Sequence, residues 1–99
     1  MPATANVWDI PDDATYSQRA KIQEFKNLRN EELEKIDREI TLKRREIWNM
    51  KYTSALTTSQ KTSRRAAIEK QIEMLERRKN AVRHKYEKRV EMVMSVMKP

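Results

Sequence analysis

The sequence predicts an all-α fold of two long amphipathic helices, packed as an antiparallel αα-hairpin behind an extended N-terminal arm. Three observations carry this prediction. The 99 residues include no glycine, the three prolines stand only at Pro2, Pro11 and Pro99, and apolar residues recur at helical spacing over most of the chain. A chain without glycine lacks the usual chemistry of tight turns between strands. At this length one domain is the ceiling, and 37% hydrophobic against 37% charged residues leaves little apolar surface for a globular core.

Residues 1–13 lack helical periodicity but carry Val7, Trp8 and Ile10 just before Pro11, which disfavours helix at the residue before it. They read as an extended docking arm. Asp12 and Asp13 then supply acids ahead of a first turn, and Thr15-Tyr16-Ser17-Gln18 fits a capping box in which Thr15 and Gln18 satisfy each other's backbone amides. The first helix is expected over 15–53. Its apolar stripe contains Ile22, Phe25, Leu28, Leu33, Ile36, Ile40, Ile47 and Met50, with 11-residue steps from Phe25 to Ile36 to Ile47 mixed into a heptad-like run. That mixture implies weak supercoiling. Glu31 to Lys35, Glu34 to Arg38 and Glu39 to Lys43 stand in the favourable order at i,i+4.

Between Thr53 and Ser63 seven of eleven residues are Ser or Thr, whose side chains compete with helical hydrogen bonds and favour caps. A polar connection is expected over 54–62 and a second helix over 63–97. The second seam runs Ile68, Ile72, Leu75, Lys79, Val82, Tyr86, Arg89, Val93 and Val96. Two helices of similar length joined by a short polar segment favour a hairpin in which each stripe covers the other. A single continuous rod is the alternative, because no glycine marks the turn. One seam does not account for Leu42, Trp48, Tyr52, Met74, Met92 and Met94, so self-association or a larger assembly is expected to cover them.

The absence of cysteine excludes disulfides and thiolate chemistry. Without glycine there is no phosphate-binding loop, and with His84 as the lone histidine no familiar triad or metal site can be assembled. No enzymatic activity, cofactor or metal is expected. The acidic opening residues are unlike a signal or transit segment, and the apolar stretch from Val90 to Met97 is far too short for a membrane span.

The formal charge is +7, a surplus that favours acidic or polyanionic partners. Residues 63–99 contribute +6 of it by formal count and residues 15–53 contribute +3, so the second helix reads as the electrostatic face, with Arg64, Arg65, Arg77, Arg78, Lys79, Lys85 and Lys88 as its cations. Acidic residues interrupt each basic cluster, which weakens a reading as direct nucleic-acid recognition. Two elements suit docking: the arm, with Trp8 and Ile10, and the apolar tail, with Met92, Val93, Met94, Val96 and Met97. Packing of Trp8 back onto the hairpin is the alternative for the arm. Trp48 and Tyr52, one turn apart, join the candidate docking residues or belong to the core.

The stretch from Arg77 to Glu91, with paired Arg77-Arg78 ahead of Val82, Tyr86 and an acidic residue, resembles an element of small helical microtubule inner proteins of cilia and flagella. It covers about fifteen residues and departs from the usual pattern at Val82, where Leu is usual, and at Val90-Glu91, where a Glu-Leu pair is commoner. The resemblance implies a non-enzymatic structural protein in the cytoskeletal compartment. It would lie on the acidic tubulin lattice of an axonemal doublet, with tubulin and neighbouring axonemal proteins as partners. The residues alone leave two rivals: a basic helical subunit of a ribosomal or other ribonucleoprotein particle, with nucleic acid as partner, and a self-associating four-helix adaptor.

Overall fold

A computed structural model describes residue 8 and residues 10–96, with side chains up to residue 95. Its two elements are α1, Tyr16–Met50, and α2, Thr58–Val96, of 35 and 39 residues. Pairings between them run in opposite senses: Phe25 meets Tyr86, Glu32 meets Lys85, Asp37 meets Lys79 and Arg44 meets Glu76. The chain is thus an antiparallel αα-hairpin and not a rod.

The start of α1 follows from its capping box. The Thr15 amide donates to Gln18 Oε1 at 2.8 Å, and the Gln18 amide donates to Thr15 Oγ1 at 3.1 Å, which satisfies two amides that a helix start leaves without partners. The Arg19 guanidinium holds the preceding turn by donating to the carbonyls of Pro11 and Asp12 at 3.1 and 3.2 Å.

Both inner boundaries differ from the expected ones. α1 ends at Met50, three residues before 53, because the chain tightens there: the amides of Lys51, Tyr52 and Thr53 donate to the carbonyls three residues back. Thr53 Oγ1 adds a bond to the Asn49 carbonyl at 3.3 Å. A helix with no glycine to adopt the left-handed cap finishes its carbonyls this way, and among the described residues none has a positive φ. α2 begins at Thr58 and not at 63, because Thr57-Thr58-Ser59-Gln60 is a second capping box. The Thr57 amide donates to Gln60 Oε1 at 2.9 Å and the Gln60 amide to Thr57 Oγ1 at 3.2 Å. Of the Ser and Thr residues that suggested a loop, Thr53 and Ser54 lie in the connection, while Thr57 is the cap and Thr58, Ser59, Thr62 and Ser63 belong to the first turns of α2. Thr57→Ala should cost about 1 kcal/mol of stability, read as a lower thermal midpoint with the helix content of the folded chain unchanged.

Packing divides into two units. In Leu33–Asn80 the buried residues are Ile36, Ile40 and Leu75, flanked by half-buried Ile47, Met50, Leu56, Ile68 and Ile72. In the unit of Met1–Glu32 and Ala81–Pro99 the core is Ile22, Tyr86 and Val90, with Gln18 buried beside its cap. The Phe25 and Tyr86 rings are tilted against each other with centroids 6.3 Å apart. Val90, fully buried, takes the seam position that strict heptad spacing gave to Arg89, which is exposed. The seam of α2 steps four residues from Val82 to Tyr86 and four more to Val90, so Lys79 and Val90 stand 11 residues apart, the same spacing that α1 mixes into its stripe.

Candidate docking surface

The last turn of α1, the seven-residue connection and the first turns of α2 form the turn end of the unit Leu33–Asn80. Trp48 stands one turn from Tyr52, so their rings meet, tilted, with centroids 5.8 Å apart. The Lys51 ammonium lies 4.8 Å from the Trp48 centroid, a cation–π contact. Trp48 is 56% exposed and Tyr52 73%: this aromatic pair is not part of the core. Beside it a groove is lined by Lys51, Lys61 and Arg65 with Thr58 and Thr62, over Ile47 and Met50.

Charge is dense at this end, as it also is along residues 77–89 of α2, which hold seven Lys or Arg and one acid, Glu87. Residues 43–65 hold seven Lys or Arg (Lys43, Arg44, Arg45, Lys51, Lys61, Arg64 and Arg65) and a single acid, Glu46. The segment carries +6 of the total +7. Reading charge by helix missed this, because the cluster is split between the end of α1 and the start of α2. The hairpin brings Lys43-Arg44-Arg45 and Arg64-Arg65 into one region.

The cations expected along α2 fare differently. Arg65 pairs with Glu69 at 2.9 Å, Arg77 with Glu73 at 2.7 Å, Lys79 with Asp37 at 2.6 Å, and Lys85 with Glu32 at 3.0 Å. Lys79, with its half-buried side chain, and Lys85 are engaged with carboxylates of α1, whereas Arg65 and Arg77 pair within α2. Arg64, Arg78 and Lys88 are exposed and form no ion pair among the described residues. Exposed pairs such as Arg77 to Glu73 stabilise weakly, yet they lower the net field of α2 beyond its first turns.

Of the arm, Trp8 and Ile10 are half-buried, and the Arg29 guanidinium lies 4.3 Å from the Trp8 centroid. Of the two placements the sequence left open for Trp8, this is packing against α1. In the tail Met92 is 64% exposed while Val93 and Met94 are half-buried. Met97 and the side chain of Val96 lie outside the described residues. His84 is exposed, and among the described residues no cluster of three His, Cys, Asp or Glu is placed to hold a metal ion. No helix of the described residues is long and apolar enough to cross a membrane.

Glu32 is held below the ordinary carboxylate value of 4.5 first by its hydrogen bond from Lys85, with partial desolvation opposing. The Tyr86 hydroxyl and the charges of Lys85 and Arg89 add to the lowering. Lys85 Nζ donates to Oε1 at 3.1 Å and lies 3.0 Å from Oε2, which is shut off from solvent without an aligned hydrogen bond. A depressed carboxyl stabilises the fold above its unfolded value and loses that contribution as pH falls through the folded value. Glu32→Gln should therefore lower stability by less than about 1 kcal/mol at neutral pH, because the pair is well exposed. The gap from wild type should close as pH falls from the ordinary carboxylate range through the lowered folded value of Glu32, which parallel thermal melts across pH would show.

No protein-family model, curated protein or solved structure matches the chain.

Proposed function

We propose that the chain is a non-enzymatic structural protein that docks on an acidic surface of a large assembly. One observation carries this reading: a two-helix fold leaves Trp48, Tyr52, Leu42, Met74 and Met92 each more than half exposed on a chain of net charge +7. Exposed large side chains beside unbalanced charge are characteristic of an interaction surface. The resemblance of residues 77–91 to microtubule inner proteins supports a narrower form, in which the assembly is an axonemal doublet and the acidic surface is the tubulin lattice. The non-enzymatic part of the reading draws support from the residue inventory, which has no cysteine and a single histidine, His84.

The test is to follow the endogenous chain by mass spectrometry through fractionation of its source cells, comparing salt-washed axonemes with ribosomal and other nucleoprotein particles. Retention in the washed axonemes is the expected result. Migration with particles that nuclease disperses would replace this reading with that of a ribonucleoprotein subunit.

A further inference from the structure

We propose that the turn end of the hairpin is the gripping face, and that it takes an acidic segment of a partner protein, one rich in Glu and Asp. The inference rests on the docking reading and assigns the contact to one end of the fold.

Of the seven cations within residues 43–65, Lys43, Arg44 and Arg65 pair with Glu46, Glu76 and Glu69, and the other four repel one another, which an anionic ligand relieves. Those four have no carboxylate partner among the described residues: Arg45, Lys61 and Arg64 form no ion pair, and Lys51 rests on the Trp48 ring. The groove lined by Lys51, Lys61 and Arg65 offers a ligand both kinds of contact. Ammonium and guanidinium groups meet carboxylates, the Thr58 and Thr62 hydroxyls accept or donate hydrogen bonds, and Ile47 and Met50 take the methylenes of a glutamate side chain.

The occupant is a peptide and not a nucleic acid because the cations Lys51, Lys61 and Arg65 share their groove with the apolar side chains Ile47 and Met50, which acidic side chains with aliphatic stems can cover and a phosphate backbone leaves uncovered.

The test uses the full chain and two fluorescein-labelled probes of equal length, a peptide of alternating Glu and Gly and a single-stranded RNA of mixed sequence, read by fluorescence anisotropy. The double variant Lys51→Glu with Arg64→Glu removes two cations at the turn end. Arg78→Glu with Lys88→Glu makes the same change in net charge elsewhere. The expected result is peptide binding that the first variant weakens roughly tenfold or more and the second by less than about threefold. Added salt should weaken binding by wild type. Lys61→Glu with Arg65→Glu, which changes two cations of the groove and keeps the Lys51 to Trp48 contact, should lose as much as the first variant, so a local disturbance at Trp48 does not decide the outcome. Equal losses in the turn-end and control variants, no peptide binding, or tighter binding of the RNA would each overturn the inference. The same turn-end variant is then followed in the fractionation. If it is retained as well as wild type, the assignment to the turn end fails while docking stands; if wild type itself is absent from the assembly, the docking reading fails.

Discussion

Tyr86→Ala should destabilise the hairpin by about 3–5 kcal/mol, in line with other truncations of large buried aromatics. Tyr86 is 3% exposed, packs against Phe25 with centroids 6.3 Å apart, and lies under Lys85 and Arg89, whose cationic groups are 4.8 and 5.0 Å from its centroid. A two-helix domain of this size has only a few kcal/mol to lose. The variant is therefore expected to be largely unfolded at room temperature, with most of its helical far-ultraviolet dichroism gone. Tyr86→Phe keeps the ring and removes only the hydroxyl beside Glu32, so it should lose about 1 kcal/mol or less. A Tyr86→Ala chain that melts like wild type would mean that the unit of Met1–Glu32 and Ala81–Pro99 is not built around this ring.

Ile40→Ala has the second largest expected effect, about 2–5 kcal/mol. Ile40 is 3% exposed and sits with Ile36 and Leu75 at the centre of the unit Leu33–Asn80. Leu42, two residues on, is 56% exposed, and Leu42→Ala should change the stability of the isolated chain by less than about 0.5 kcal/mol. The pair separates the seam from the outer face: the same side-chain class, two residues apart, differs several-fold in what it contributes. Denaturant melts of both variants measure this directly. Equal costs would place Leu42 in a core. If the outer face is covered in an assembly, Leu42→Ala should weaken incorporation without altering the isolated fold.

The helical class was legible because it rests on what the composition forbids, and the first capping box because Thr15 and Gln18 stand at the box spacing just after Asp12 and Asp13 and ahead of the apolar stripe. The second box has the same pattern, Thr57-x-Ser-Gln, but lies within a run of Ser and Thr that reads as a connection. Only Gln60, reaching back to the Thr57 amide, distinguishes cap from loop there. Val90 was missed because strict heptad spacing puts Arg89 on the seam, whereas a helix that mixes in 11-residue steps brings Val90 inward. The charge cluster was half legible: each basic run is visible along the chain, but a hairpin sums them by end while a reading along the sequence sums them by helix. Lys79 and Lys85 could not be separated from the free cations in advance, since their partners Asp37 and Glu32 lie more than forty residues away in sequence.

Docking of the turn end on acidic protein is tested most directly by zero-length coupling of amines to carboxylates in the intact, salt-washed assembly, followed by mass spectrometry of the linked peptides. The account predicts links from Lys51 and Lys61 to Asp or Glu residues of other proteins, alongside internal links such as Lys79 to Asp37. Links confined to internal pairs, in a chain that nuclease treatment releases from its particle, would contradict it.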